Sequence, residues 1–345
     1  MKPRLNDIAA AAGVGVATVW RVLNGRGNVS PQTADKVVHA ARALGLPRTM
    51  PERYRVRLRL EVFLVESEGL FFRRLSEAFL HAQAGFGDDV IVHRSFVAET
   101  APGLLAERIA AAVGSRQGII VYAPEHPAVL AVLEQAAEAG LPVITLVTDV
   151  DCRGRIAHVG IDQYAAGRTA GFFLGSLARE PGPVAIVTGR QSYRAHRQRI
   201  AGCRDLLRAR FPHLELAAVV EGLDERQRTR EAVWRCLDAS PGIVGIYNTA
   251  SANREVGEVL ARTGHAGRIV FVGHETTDAT MALMKTGTMQ VNIDQNPELH
   301  ALRALQILLR FARHREVVPE EATIPFSVYC PENLPQPVQA GPAHG

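Results

Sequence analysis

Arg21 stands three residues after Thr18 and five after Val16 in the segment LNDIAAAAGVGVATVWRVLN, residues 5–24. Residues of these types can read a surface by contact: a guanidinium offers paired donors to a base edge, and Val16, Ala17 and Thr18 offer small contacts beside it. A second set follows short apolar runs farther along: Phe71 and Phe72, Tyr122, Asp149, Asn248 and Glu275. Aromatic faces with convergent amide and carboxyl groups suit a small polyhydroxylated ligand with an apolar side. Bond-making chemistry finds no comparable support. The chain has no GxxxxGK[ST] loop, no GxSxG elbow and no HExxH helix, and His274-Glu275 lacks a second histidine at metal-sharing distance. Gly25-Arg26-Gly27 follows a helical pattern instead of a strand, so it is no dinucleotide turn. Asp88-Asp89 and Glu320-Glu321 sit in polar contexts and read as solvated. Neither an enzyme, a cofactor nor a metal site is expected.

The elements that must carry the first set are legible from spacing. Leu5, Ile8, Ala9 and Ala12 share one helical face, and Gly13-Val14-Gly15 interrupts the run. From Val16 to Leu23 the helical spacing resumes, with Val19, Val22 and Leu23 inward. Two short helices joined by a glycine turn make a helix-turn-helix unit, whose second helix presents its first residues to a major groove. Ser30-Pro31 predicts the cap and first position of a third helix, Pro31 to Leu44, with Val37, Ala40, Ala41 and Leu44 on one face.

Leu5-Asn6-Asp7-Ile8-Ala9, Ala12-Gly13-Val14, Thr18-Val19, Arg21-Val22-Leu23-Asn24 and Val29-Ser30 closely resemble the DNA-binding headpiece of the lactose-repressor (LacI) family. The resemblance implies that Val16, Ala17, Thr18 and Arg21 approach base edges. It implies that Lys2, Arg26 and Ser30 hold phosphates, with Leu5, Asn6, Trp20 and Asn24 completing the DNA-facing set. Trp20 replaces the small polar residue the family commonly has before the arginine. Its ring either faces a phosphate or lies against the first helix; the surface position is favoured because Val19 and Val22 already occupy the inward stripe.

Charge agrees with this division. Residues 1–57 hold ten Lys/Arg against three acids, a net +7, and the remaining chain carries 29 basic and 32 acidic residues, a net −3. A basic module on a mildly acidic body is the footprint of phosphate binding. The joining segment, 46–59, is broken by Pro47 and Pro51 and carries Arg48, Arg53, Arg55, Arg57 and Arg59. Where the family usually has a hinge helix with a wedging leucine, this chain departs from the pattern, and a basic linker touching phosphates is the favoured reading.

The body alternates strand and helix. Strands are expected at 60–65, 90–92, 118–122 and 142–146, and helices at 71–84, 103–114 and 126–139. The pattern repeats as strands 183–188, 216–220, 243–247 and 269–272 with helices 194–210, 225–239 and 252–263. Short apolar strands separated by helices imply parallel sheets, and two such units imply two lobes with a cleft. With 47% hydrophobic residues the chain can fill these cores. It shows no apolar run of membrane-spanning length, about 18 residues, and no secretory signal, so a cytoplasmic protein is expected. Cys152, Cys203, Cys236 and Cys330 are far apart and read as separate thiols.

Over residues 60–330 the pattern resembles the two-lobed periplasmic sugar-binding fold of LacI-family effector domains. The markers are His158-Val159-Gly160-Ile161-Asp162-Gln163-Tyr164-Ala165-Ala166-Gly167 at a lobe crossover, Arg199-Ile200-Ala201-Gly202, Val272-Gly273-His274-Glu275 and Asp294-Gln295-Asn296-Pro297. The third replaces the usual Gly-Phe-Asp, and the family's Asn-Asp pair is here Asn248-Thr249. Ligands in such sheets sit past the carboxyl ends of strands. The expected effector set is Phe71, Phe72, Tyr122, Asp149, Arg199, Asn248, Glu275 and Gln295, with Arg199 and Gln295 resting on the family motifs. Each keeps a structural alternative: Asp149 closing a turn, Asn248 capping the helix near Ala252, Arg199 pairing with Asp205, and both phenylalanines as core.

The sequence therefore divides into a helix-turn-helix domain (1–46), a basic linker or hinge (47–59), a two-lobed effector-binding and dimerisation domain (60–330) and a flexible tail (331–345). The function expected is a homodimeric regulator binding a palindromic operator under control of a sugar or polyol. The competing class is a small-molecule-binding module, purine ligands included, whose head mediates protein association.

Overall fold

A computed structural model of the chain describes residues 4–26, 29–46, 58–67, 69–87, 90–314 and 322–335. The head is three helices: α1 (Leu5–Ala12), α2 (Val16–Leu23) and α3 (Pro31–Ala43). Gly13 closes α1 in the left-handed conformation, φ 64°, which lets the chain turn within three residues. Ile8 and Ala9 from α1, Val19, Val22 and Leu23 from α2, and Ala34, Val37, Val38, Ala40 and Ala41 from α3 form one small core. The expected inward stripes hold with one correction. Leu44 lies past the last turn of α3 and is 40% exposed, and Leu46 packs against the core in its place. The linker lies outside the described residues except at its ends, and its last two residues, Leu58 and Arg59, belong to the first strand.

In the first lobe, β1 (Leu58–Val65), β2 (Val90–Val97), β3 (Gly118–Val121), β4 (Val143–Leu146) and β5 (Ala157–Val159) form a parallel sheet in the order β2-β1-β3-β4-β5. The central β1 is buried on both faces from Leu60 onward, as a strand covered by helices must be. Between these strands run α4 (Leu70–Ala84), α5 (Pro102–Ala112) and α6 (Pro127–Glu138). The edge strand β2 is longer than its apolar start suggests. Its later residues, His93, Arg94, Ser95 and Phe96, are mostly polar and stay partly or fully exposed, as suits a strand at the sheet edge.

The second lobe is a six-stranded sheet in the order β11-β10-β9-β8-β6-β7. Its strands are β6 (Gly182–Thr188), β7 (Leu214–Glu221), β8 (Gly245–Asn248), β9 (Val270–His274), β10 (Val291–Asp294) and β11 (Ser327–Tyr329). All pair in parallel except β10 with β11. Its helices are α7 (Gln163–Leu177), α8 (Arg194–Arg210), α9 (Arg226–Ala239), α10 (Asn253–Arg262) and α11 (Asp278–Lys285), while α12 (Pro297–His314) packs back on α4, β4 and β5 of the first lobe. The elements β5, α7, α11, β10, α12 and β11 go beyond the strands and helices read from periodicity. At the start of the expected tail, residues 331–333 form one 3-10 turn, and residues 336–345 lie outside the described residues. No described helix is long and apolar enough to cross a membrane.

Two motif glycines set how α7 and α8 cross. A Cβ on Gly167 would sit 2.1 Å from the Arg199 carbonyl oxygen, and one on Gly202 would sit 2.1 Å from that of Tyr164. The helices touch backbone to backbone, and this contact aims Arg199 at the lobe junction.

Candidate functional site

The chain passes between lobes after β5, after β10 and again before β11. At the first and third crossings the backbones bond to each other: the Gly160 N–H donates to the Ala322 carbonyl at 3.3 Å and the Ile324 N–H to the Gly160 carbonyl at 2.8 Å. Beside these crossings, the carboxyl ends of both sheets face one cleft.

Its floor is a buried polar network. Arg199, 3% exposed, donates from Nε to Gln163 Oε1 at 2.7 Å and from Nη1 to the Thr249 carbonyl at 2.6 Å. Gln163 Nε2 donates to the Val147 carbonyl at 2.8 Å and to Gln295 Oε1 at 3.1 Å. Gln295 in turn donates to Glu275 Oε1. Three expected residues, Arg199, Glu275 and Gln295, thus meet through one that carried no assigned role, Gln163. The other carboxylate oxygen of Glu275, Oε2, is buried without a hydrogen-bond partner. Burial raises the Glu275 pKa to about 8, with Asp294 adding to the rise. The alternative pairing of Arg199 with Asp205 is absent, because Asp205 faces Arg204 at 3.3 Å and Tyr164 at 3.1 Å.

The aromatic residues form one wall. Ring centroids step 5.2 Å from Phe71 to Phe72, 5.0 Å to Tyr122 and 4.8 Å to Tyr193. Tyr193 precedes α8, so the run crosses from the first lobe to the second. All four are buried, and they belong to the main apolar core. A small void of about 10 Å³ lies at this wall, lined by Glu99, Tyr122, Pro124 and Tyr193 among others.

Asp149 and Asn248 stand apart from that network. Asp149 accepts from Thr145 Oγ1 at 2.7 Å, from the Val150 N–H at 2.9 Å and from Arg155 at 2.7 Å, which closes the turn after β4. Asn248 donates to Asn253 Oδ1 at 2.8 Å and accepts from the Ala250 N–H at 3.2 Å, bracing the loop into α10.

Across the rim the lobes are joined by ion pairs. Glu99 meets Arg190 at 3.2 Å, Glu125 meets Arg194 at 2.7 Å and also Arg197, and Arg74 meets Asp294 at 2.6 Å. The Glu125 N–H donates to the Ser192 carbonyl at 2.9 Å, and the Ala195 N–H to Thr148 Oγ1 at 3.2 Å. These contacts hold the cleft closed. Burial, reinforced by Asp224, lifts the Glu99 carboxyl to about 7. Behind the floor, burial together with the charge of Arg199 depresses His196 to about 3.

Five non-glycine residues among those described have positive φ: Val147, Leu223, Asp224, Glu275 and Asn296. Each follows the carboxyl end of a strand. Such strain costs on the order of 1–3 kcal/mol per residue and concentrates at ligand-binding loops. Asp224 is half-buried and accepts from the Ser251 and Ala252 N–H groups, and desolvation raises its pKa. Glu99, Glu125, Gln163, Arg190, Tyr193, Arg194 and Asp224 were not anticipated as site residues. Position past a strand end was the available signal: ending β2 at 92 directs attention away from Glu99, whereas Asp224 lies in the loop just past the expected end of β7. Among the described residues no group of three or more His, Cys, Asp or Glu could hold a metal ion.

In the head, Val16, Ala17, Trp20 and Arg21 are exposed on the outward side of α2, and Thr18 is half-buried. Trp20 is at the surface, 45% exposed, with the Arg26 guanidinium 6.0 Å from its ring centroid. Asn24 donates its amide to the Trp20 carbonyl at 2.7 Å, ending α2. Ser30 Oγ accepts from the Thr33 N–H at 3.3 Å, capping α3. Asn6 is exposed and Leu5 half-buried; Lys2 lies outside the described residues.

Comparison with known proteins follows the same division. Residues 4–46 match the family model for bacterial regulatory proteins of the lacI family, and residues 64–316 match the periplasmic binding protein domain. A sucrose operon repressor of Pediococcus pentosaceus is 54% identical over 44 residues, 13% of this chain and 14% of that protein. The HTH-type transcriptional regulator CelR of Thermobifida fusca is 27% identical over 254 residues, 71% of this chain and 73% of the relative. Among solved structures, the glucose-galactose binding protein GanP of Geobacillus stearothermophilus superposes with a TM-score of 0.74 at 22% identity, covering 81% of this chain and all of that one. A solute-binding protein of Burkholderia graminis in complex with D-arabinose also gives 0.74, at 21% identity, covering 80% and 96%.

Proposed function

The chain belongs to the lacI family of bacterial regulatory proteins, with a periplasmic-binding-protein body, and from that premise we propose that it is a DNA-binding transcriptional regulator controlled by a sugar or polyol held between its lobes. The family is one of transcriptional regulators and not of enzymes. The observation that carries the reading is the joining, in one chain, of a helix-turn-helix head over 4–46 to a two-lobed body with a polar cleft.

In this reading the chain acts as a homodimer. Two heads bind half-sites of a palindrome about one helical turn apart. Arg21 and residues 16–18 face base edges, Lys2, Arg26 and Ser30 hold phosphates, and Leu5, Asn6, Trp20 and Asn24 complete the DNA face. The effector enters when the rim ion pairs part, because the void at the aromatic wall, about 10 Å³, is far below the roughly 300–1,000 Å³ of ordinary ligand sites. Phe71, Phe72 and Tyr122 then pack on the apolar face of the ring. Hydroxyls exchange with the floor bonds of Arg199, Glu275 and Gln295, where Glu275 Oε2 already lacks a partner, and Asp149 and Asn248 meet the ligand from the two shores. A ligand alters DNA affinity only by binding one lobe arrangement more tightly than the other.

The test combines thermal-shift screening of the full chain against sugars, polyols and nucleobases with gel-shift assays on genomic fragments at two salt concentrations. A carbohydrate that raises Tm and changes salt-sensitive DNA binding is the expected result. A shift by nucleobases alone replaces the sugar assignment, and absence of salt-sensitive DNA binding turns the head into a protein-association module.

A further inference from the structure

The outward side of α2 is more apolar than a hydrogen-bonding reader requires. With Val19, Val22 and Leu23 in the head core, the helix turns Val16, Ala17, Trp20 and Arg21 outward. Val16 is 41% exposed and Trp20, one turn later on the same side, is 45% exposed. Ala17 lies next round the helix, between Trp20 and Arg21, so three apolar side chains form one patch beside Arg21. Arg21 is the one residue of these four that offers the paired donors a base edge accepts; Val16 and Ala17 offer none, and the indole has a single N–H. Beside this patch the Arg26 guanidinium stands 6.0 Å from the Trp20 centroid, and this contact steadies the ring at the edge of the helix.

In a major groove the apolar group that such a patch can read is the 5-methyl of thymine. We propose that Val16, Ala17 and Trp20 form a thymine-methyl reader, so that each operator half-site pairs a guanine read by Arg21 with thymine read by the Val16–Trp20 patch. The inference rests on the head binding DNA as proposed above and adds the base chemistry it selects. Trp20 supplies specificity here through surface covered from water on binding.

The experiment uses the full chain and a duplex enriched by it from a random pool. Thymine in each half-site is replaced by uracil, which removes the 5-methyl and keeps the hydrogen-bonding edges, and Kd is read by fluorescence anisotropy at one salt concentration. Burying one methyl is worth about a fourfold change in affinity, so a symmetric pair of replacements should weaken binding roughly 15-fold. Trp20→Ser should bind the thymine and uracil duplexes within twofold of each other, and Val16→Ser should narrow the same difference; the far-UV helical signal checks that both heads are folded. Binding of the fully uracil-substituted duplex by the unmodified chain within twofold of the thymine duplex overturns the methyl reader while leaving DNA binding intact. Failure to bind any duplex in a salt-sensitive way overturns both.

Discussion

The floor and the rim of the cleft are built from the same residue types and differ in how much water reaches them. On the floor, Arg199, Gln163, Gln295 and Glu275 are each less than 5% exposed and fill one another's hydrogen bonds. On the rim, Arg190, Arg194, Glu99 and Glu125 keep side-chain exposures of 20–30%. Buried polar groups are expensive to strand, whereas solvated ion pairs return little when made and cost little when broken. The floor therefore sets the shape shared by both lobes, and the rim supplies closing contacts that are exchanged at little cost.

The largest effect expected from breaking this contrast is Arg199→Ala. It strands Gln163 Oε1 and the Thr249 carbonyl at about 1–3 kcal/mol each, a total of roughly 2–6 kcal/mol in denaturant unfolding. A loss below 1 kcal/mol would mean the floor is as wet as the rim.

Next comes pH. Glu275 titrates at about 8 in the folded chain against 4.5 when free. Between those values the folded state holds the extra proton, so stability falls as pH rises from about 4.5 to 8. Glu99, raised to about 7, adds the same sign over its narrower window. Glu275→Gln should flatten this decline by on the order of a few kcal/mol at pH 8, measured by urea unfolding across the pH range. An unchanged slope would place the titrating group elsewhere. His196 acts oppositely: held neutral down to about 3, it contributes stability that is present above about 6.5 and lost as pH falls toward 3.

Gly202→Ala tests the support beneath the floor. Its Cβ would lie 2.1 Å from the Tyr164 carbonyl oxygen, so α7 and α8 must separate, at about 1–3 kcal/mol, with a loss of ligand affinity that follows the displacement of Arg199. Full stability would show that the helices part freely. The smallest effect belongs to the rim. Glu125→Ala should cost about 1 kcal/mol or less and yet enlarge the radius of gyration in small-angle scattering, because the lobes open. A large stability loss with no expansion would move Glu125 from rim to floor.

The same contrast explains what was readable in the chain. The head was legible almost throughout, since Ile8, Val19, Val22 and Val37 meet across short helices whose periodicity states their faces. Leu44 misled because the 3.6-residue pattern runs on past the turn where the helix ends. In the body, Arg199 and Gln295 were found through motifs, but Gln163, which joins them, lay inside a quoted motif with no partner visible. Glu99 escaped because its strand extends beyond the apolar residues that announce it. An edge strand with one wet face has a polar half that reads as loop.

From sequence alone came the division into a basic helix-turn-helix head and an alternating strand-helix body, the faces of the head helices and the absence of the familiar catalytic motifs. These follow from composition and from contacts within a few residues. Tertiary structure alone decided which side chains share the cleft. Residues 99 and 190, 125 and 194, or 163 and 295 become neighbours only when the carboxyl ends of two sheets are brought to one cleft by repeated lobe crossings and by the glycine contact of α7 with α8. No local periodicity encodes a contact that depends on how whole layers pack.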